Sequence, residues 1–318
     1  MIIGGAGFIG SHFTDTLLAD PTTEKVLVYD NLSSGRAWHF EHHLNDPRFA
    51  FKEGFVEDRG QLEHYMYGHD TVIHLASNPD IAKAATYPAI DFYQGTELTH
   101  CVVDAARATG VKRLLYASGS GVYGDLGDIE AHEDYGPLLP ISTYGASKLA
   151  GEALINSYCC MFGLTACMFR FANVVGGSGR ATHGITLDFT KKLLANPKEL
   201  TILGDGTQSK SYIDVNDVVS AVLTANKNQK EICRVYNVGT NDYITVAEIA
   251  DLIVECLQLS DVEYKYTGGN RGWKGDVPIV RLNTDRIRSL GWTHTKTSRQ
   301  ALKDTVISLL PDILAGKM

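Results

Sequence analysis

A doubly wound parallel α/β sheet with a smaller C-terminal α/β lobe is the fold this sequence predicts, and three observations predict it. Strand-like apolar runs alternate with helix-like segments up to about residue 171, as in a parallel sheet covered by helices on both faces. The first run, Met1-Ile2-Ile3, goes straight into glycines at 4, 7 and 10, and residues 11–18 then read as a helix. The second run, residues 24–30, ends in a carboxylate, Asp30, twenty residues after Gly10.

Each element has a physical reason. A strand, a glycine-rich turn and a helix N-terminus make a pyrophosphate site, because backbone N–H groups and the helix dipole face the anion and glycine permits close approach. The spacing here is G-x-x-G-x-x-G rather than the usual G-x-G-x-x-G. Three residues are few for a first strand, so a clipped strand or missing residues are expected. Asp30 stands where a carboxylate accepts hydrogen bonds from an adenosine ribose 2′-hydroxyl and repels a 2′-phosphate, which favours NAD over NADP. A polar stretch, residues 31–48, leads to a short strand near 49–55. Residues 70–76 form an apolar strand ending in small residues, against which a flat ring could lie. Helix is expected over 96–109, with Leu98, Val102, Ala105 and Ala106 on one side, strand over 111–119, a long helix over 144–162 and strand over 164–171.

The alternation then loosens. A helix near 185–194, a strand and turn at 200–206 and a helix at 214–224 follow. Thr245-Val-Ala-Glu248 has the capping-box pattern, with helix to about 257. The division expected is residues 1–173 for a dinucleotide-binding domain and 174–318 for a substrate lobe, with the chain crossing between them more than once.

Composition excludes several classes. With 318 residues, 44% hydrophobic and 21% charged, the chain can bury a sizeable core. A net charge of −8 argues against a nucleic-acid partner. No apolar run approaches the roughly 18 residues of a membrane span, and no signal-peptide pattern opens the chain. The six cysteines include no C-x-x-C pair and read as reduced core residues of a cytoplasmic protein. No metal is expected: His42 and His43, with nearby His39, read as a polar loop or helix surface.

Tyr144 and Lys148 lie four residues apart, on one face of a helix. An ammonium beside a phenol favours the phenolate, so the Tyr144 pKa is expected to fall from its ordinary value of about 10. Such a tyrosine can exchange a proton with a sugar hydroxyl. Tyr-x-x-x-Lys alone is also an ordinary amphipathic helix; the glycine turn and Asp30 give it weight.

Gly4/Gly7/Gly10, Asp30-Asn31-Leu32, His74-Leu75-Ala76, Val122-Tyr123-Gly124, Tyr144-x-x-x-Lys148 and Arg170-Phe-Ala-Asn173 together resemble the extended short-chain dehydrogenase/reductases, Rossmann-fold enzymes that use NAD on nucleotide-diphosphate sugars. Residues 74–79, 172–176, 203–212 and 271–276 are most similar to UDP-glucose (galactose) 4-epimerases, in particular the archaeal type. The resemblance implies that Gly4, Gly7, Phe8, Ile9 and Gly10 hold the NAD pyrophosphate. Asp30, Asn31, Ser34 and Gly35 would hold the adenosine ribose and its surroundings, and Leu75 and Ala76 would line the nicotinamide side. Tyr144 is the implied acid/base, and Lys148 binds the nicotinamide ribose. Asn173, Lys210 and Arg271 would meet the substrate diphosphate, with Lys210 a point charge where many relatives have Arg. A homodimer through the helices near 96–108 and 145–161 is implied as well.

Three positions depart from the pattern. Relatives carry a Ser or Thr at position 119, where this chain has glycine; Ser120 could substitute if the backbone shifts. Gly95 stands for an Asn, and Phe55 for an adenine-contacting Asp. The carboxylates that 4,6-dehydratases and UDP-glucuronate decarboxylases place just before Val-Tyr-Gly are absent, because Ser120 and Gly121 occupy those positions. A 4-epimerase acting through a 4-keto sugar is therefore expected. A 4-dehydrogenase or different epimerase, and an NAD-binding protein with weakened catalysis, are the alternatives.

Overall fold

The computed structural model describes residues 1–176, 179–181 and 183–315. Strands β1 (Ile2–Ile3), β2 (Val26–Asp30), β3 (Phe49–Glu53), β4 (Thr71–His74), β5 (Arg113–Gly119), β6 (Thr165–Phe171) and β11 (Cys233–Val238) form one sheet in the order β11-β6-β5-β4-β1-β2-β3. Every pairing is parallel. β1 has only two residues, yet it lies between β2 and β4, with Ile2 opposite Val28 on one side and Ile73 on the other. The strand order reverses there, and the crevice at the carboxyl ends of the strands is where such sheets bind ligands.

Helices cover both faces. Phe13 and Leu18 of α1 (Phe8–Ala19) and Val218 and Val222 of α6 (Val215–Asn228) share one core with Ile73, Leu115 and Phe169 of the sheet. On the other face, Leu62 of α2 (Arg59–Met66), Val102 of α3 (Leu98–Thr109) and Ile155 of α4 (Thr143–Phe162) pack on Ile3, Tyr29 and Leu114. A third core lies in the C-terminal lobe. There α5 (Ile185–Ala195), α7 (Val246–Cys256) and α9 (Ser298–Leu314) enclose Leu193, Leu200, Ile253 and Val306. The lobe also holds three strand pairs: β7 (Asn173–Val175) with β10 (Tyr212–Asp214), β9 (Ser209–Lys210) with β12 (Ile244–Thr245), and β8 (Glu199–Ile202) with β13 (Glu263–Tyr266). A short helix, α8 (Asp285–Arg288), precedes α9. α7 carries the full capping box, with Thr245 and Glu248 bonding reciprocally.

The chain beyond residue 174 returns to the main sheet, since α6 covers it and β11 extends it. Among the described residues, no helix is long and apolar enough to cross a membrane.

His39 departs from its reading as polar surface. It is buried, with Nδ1 2.7 Å from the Ala6 carbonyl oxygen behind the glycine turn, and burial lowers its pKa to about 4. His74, also buried, ends β4, and burial lowers it to about 3. Both are neutral in the fold but take up protons once unfolded, below about pH 6.5. The unfolded state thus binds more protons as pH falls, and stability drops by about 1.4 kcal/mol per group for each pH unit below that value. Thermal melts between pH 7 and pH 5 should show this slope, and His74→Asn should reduce it by one group's share, His69 contributing likewise through a pKa lowered by burial to about 4. Equal slopes for the two proteins would refute the assignment.

Candidate active site

One cavity of about 500 Å³ runs across the carboxyl end of the sheet, from the glycine turn to β9. It is lined by the cofactor residues chosen from sequence except Gly35, by Ser120, and by the substrate residues except Arg271.

At one end the chain leaves β1 at Gly4, whose φ is +79°; a Cβ there would lie 2.6 Å from the Ala76 nitrogen. A Cβ on Gly10 would lie 2.5 Å from the Gly4 carbonyl oxygen. Only glycine lets α1 start this close to the strand. No side chain caps α1, whose N-cap is Gly7, and its first turn holds no acid, so its leading N–H groups face the cavity for an anion. Asp30 closes this end of the cavity. Its Oδ2 accepts from Ala6 N (3.0 Å) and its Oδ1 from Leu32 N (2.8 Å), and burial raises its pKa. Each oxygen keeps a lone pair for a ribose hydroxyl. Gly35 sits behind this carboxylate, where a Cβ would come 2.9 Å from Asp30 Oδ1. The cradle thus fits a dinucleotide. Phe55 is exposed and does not line the cavity, whereas Gly54, Val56 and Glu57 do.

Tyr144 stands in the first turn of α4, which Ser142 caps by accepting from Gly145 N (3.0 Å). Lys148, one turn on, is buried; its Nζ donates to the Ala117 carbonyl (2.8 Å) and lies 5.5 Å from the Tyr144 ring centre. The expected fall in the Tyr144 pKa is not what the structure shows. Burial pushes the phenol up to about 12, opposed by the Ser77 side chain and reinforced by the charge of Asp91. Burial also lowers Lys148 to about 8, which Asp91 resists. Desolvation outweighs the ammonium because the ammonium is itself desolvated and turned toward a backbone carbonyl.

Position 119 faces the phenol: a Cβ on Gly119 would lie 4.0 Å from Tyr144 Cε1 and within 4 Å of nothing nearer. Ser118 Oγ donates to Glu152 Oε1 instead (2.6 Å). Ser120 begins the turn after β5 and lines the cavity. At Gly95 a Cβ would meet Ser147 Oγ at 2.6 Å, so Ser147 fills the space an Asn there would need.

The other end of the cavity holds Asn173 of β7 and Lys210 of β9. Lys210 pairs with Asp276. Arg271 lies off the cavity wall, donating to Asp125 Oδ2 (2.7 Å) and to the Asp276 carbonyl (3.1 Å). Sequence reading missed Ser77, Asp91 and Asp276. No local pattern marks Asp91, and Ser77 and Asp276 stood inside quoted motifs, residues 74–79 and 271–276, without a role.

Among the described residues one group has metal-ligand spacing: Asp15, His42 and His43. Both imidazoles bond Asp15 Oδ1, at 2.9 and 2.7 Å, and Arg180 bonds Oδ2 at 2.6 Å. The guanidinium holds the carboxylate's other oxygen and opposes a second cation there.

The model of the NAD dependent epimerase/dehydratase family matches residues 1–239. The chain belongs to that family. Among epimerase/dehydratase relatives, a Methanocaldococcus jannaschii protein provisionally named UDP-glucose 4-epimerase is 28% identical, over 96% of both chains. A solved UDP-galactose 4-epimerase is 36% identical with a TM-score of 0.86, and 98% of each chain is covered. A UDP-glucose 4-epimerase from Thermotoga maritima, solved with UDP-glucose, is 30% identical with a TM-score of 0.87 over 98% of each chain.

Within this epimerase/dehydratase frame the carboxylates decide what chemistry is open. Those lining the cavity are Asp30, Glu57 and Asp276. None belongs to residues 118–121, the segment opposite Tyr144, so that segment holds no acid to protonate a leaving hydroxyl.

Proposed function

We propose that this protein is an NAD-dependent UDP-hexose 4-epimerase. The observation that carries the proposal is a tyrosine–lysine pair in one cavity with a dinucleotide cradle, facing a β5 turn without carboxylates. The UDP-glucose bound by the Thermotoga relative supports the substrate class. Gly4, Gly7, Phe8, Ile9 and Gly10 would hold the NAD pyrophosphate, Asp30, Asn31, Ser34 and Gly35 the adenosine ribose, and Leu75 and Ala76 the nicotinamide. When bound, NAD supplies what the side chains lack, reversible acceptance of a hydride. Tyr144 takes the proton of the sugar 4-hydroxyl as C4 is oxidised. It returns that proton after the 4-keto sugar has presented its other face. Lys148 would hold the nicotinamide ribose. Ser120 is on hand for the sugar. Asn173 and Lys210 bind the diphosphate, Lys210 exchanging Asp276 for it, and Arg271 adds charge if it leaves Asp125.

The test is mass spectrometry of the cofactor released from purified protein, with product analysis on UDP-glucose, UDP-galactose and their N-acetyl and uronic counterparts. Interconversion without net NADH is the expected result. A keto product with accumulating NADH would favour a 4-dehydrogenase. Bound NAD without turnover of any sugar would reject the enzyme.

A homodimer through α3 and α4 is part of the proposal. Phe92 and Tyr93 just before α3, and Met161 and Phe162 at the end of α4, are large and exposed, as an unpartnered helix face would be. Sedimentation should give twice the monomer mass. The six free cysteines fit the cytoplasmic setting expected from sequence.

A further inference from the structure

Trp273 is half-buried and lines the cavity. It is the one tryptophan of three to do so; Trp38 and Trp292 lie elsewhere. A large aromatic ring left part-open in a cleft forgoes some of the burial that core packing would give it. It recovers that burial when a ligand covers the ring, and ligand pockets are built this way, with apolar surface and a few polar groups.

The place of the indole is fixed by its neighbours. A Cβ on Gly275 would lie 2.5 Å from Trp273 Cζ3 and 3.1 Å from Ser142 Cβ. Only glycine lets the chain pass between the indole and Ser142, and Ser142 caps the helix that carries Tyr144 two residues on. The indole therefore stands near the first turn of α4. Its own segment, residues 271–276, is closed on itself. Asp276 N donates to the Trp273 carbonyl (3.1 Å), Gly272 N to Asp276 Oδ2 (3.1 Å), and Arg271 to the Asp276 carbonyl (3.1 Å). The same segment reaches outward, Arg271 to Asp125 and Asp276 to Lys210. In the epimerase reading Lys210 meets the diphosphate and Tyr144 meets the hydroxyl of the reacting carbon. Trp273 belongs to the loop that runs from the partner of Lys210 to the helix of Tyr144, which is the span a hexose would fill.

We propose that Trp273 is the sugar-binding wall of this site: its indole packs on the hexose ring and recognises the sugar, not the nucleotide. The proposal rests on the epimerase reading above. An indole attracts the C–H groups of a sugar through many small dispersion contacts, none of which imposes a hydrogen-bond angle. Such a wall holds the ring in either of two orientations, as epimerisation at C4 requires, whereas a wall of fixed donors and acceptors would favour one.

Trp273→Ala in the NAD-loaded protein should raise KM for UDP-glucose about tenfold, the worth of one aromatic contact. Its kcat should stay within about threefold, because the contact is made in ground and transition states alike. The Kd of UDP alone should stay within about twofold, and Trp273→Phe should recover most of the KM. In the wild type, tryptophan fluorescence should change on titration with UDP-glucose and not with UDP, and Trp273→Phe should abolish the change. Unchanged KM in Trp273→Ala, an equal loss of affinity for UDP and UDP-glucose, or a fluorescence response to UDP would overturn the proposal. A fall in kcat with KM held would overturn it as well, since the indole would then act on α4 and not on the sugar. If the wild type turns over no nucleotide sugar, the epimerase reading fails on its own. Trp273 is then judged by the fluorescence titration, which needs no turnover, and the lack of a response specific to UDP-glucose overturns the proposal.

Discussion

Tyr144→Phe should lower kcat by about two to four orders of magnitude, the worth of a positioned acid/base, while NAD stays bound. The substitution removes one oxygen and leaves the ring in its packing. The cradle at Gly4, Gly7 and Gly10 and the Asp30 carboxylate do not touch that oxygen, so cofactor retention should persist. The raised pKa of the phenol, about 12, shapes the rest of the profile. At neutral pH it is protonated unless a nearby positive charge favours the phenolate. The two sources of such charge are Lys148 and an oxidised nicotinamide ring. Lys148 is depressed to about 8, so its charge fades as pH rises through that value while the phenolate grows. Rate should therefore climb from acid toward neutral pH and flatten or fall above about pH 8. Lys148→Met should remove the fall and depress the whole curve. Stopped assays from pH 5.5 to 9.5 on the three proteins check this. A phenylalanine variant within tenfold of wild type would remove Tyr144 from the chemistry.

How much of this was legible in the sequence depended on distance along the chain. The glycine turn, Asp30 and the Tyr144–Lys148 pair are local patterns, each confined to one strand–turn–helix step or one helical turn, and the structure brings them into one cavity. The sign of the Tyr144 shift was not legible. Adjacency of Tyr and Lys can be read from spacing, but the desolvation that outweighs it comes from the packed sheet and helices. His39 was misread for the same reason: it lies in a polar run, yet its ring turns under Ala6. Asp91 escaped notice because its partners are on other elements; Thr143 and Asp91 are 52 residues apart. Arg271 sits in a motif near the diphosphate residues, but its guanidinium is tied to Asp125, 146 residues away. Helices α2 and α9 and strand β11 went unassigned. β11 is an edge strand that runs from half-buried at Cys233, Arg234 and Val235 to buried at Tyr236, Asn237 and Val238, so it shows no period-two pattern. α9 carries a proline, Pro311, inside its last turn, which reads as a break.

The scaffold beneath the site makes the second large prediction. Glu152→Ala should cost about 3–5 kcal/mol of folding stability, because it strands a buried guanidinium. Glu152 lies on α4, two turns beyond Tyr144, and both its oxygens bond Arg170 of β6, at 3.0 and 2.7 Å. Each residue of the pair is about 95% or more buried. Ser118 of β5 donates to the same carboxylate. The Arg170 guanidinium also donates to the Glu133 carbonyl (3.2 Å) and lies 4.7 Å from the Tyr123 ring centre. Tyr123 in turn donates to Asn237 of β11 (2.8 Å). One ion pair thus ties α4 to three strands and to the turn that faces the phenol. Removing the carboxylate leaves Arg170 charged, with burial opposing a charge no longer paired, and frees Ser118. Urea unfolding should show the lower midpoint with an unchanged slope. Replacing both partners by apolar residues, Glu152→Leu with Arg170→Met, should recover much of the loss, since no charge is then stranded. The recovered protein should still turn over more slowly than wild type, because the pair also sets the angle at which α4 presents Tyr144. A single Glu152→Ala variant destabilised by less than about 1 kcal/mol would mean that water reaches Arg170, and would take this anchor out of the account of how the phenol is aimed.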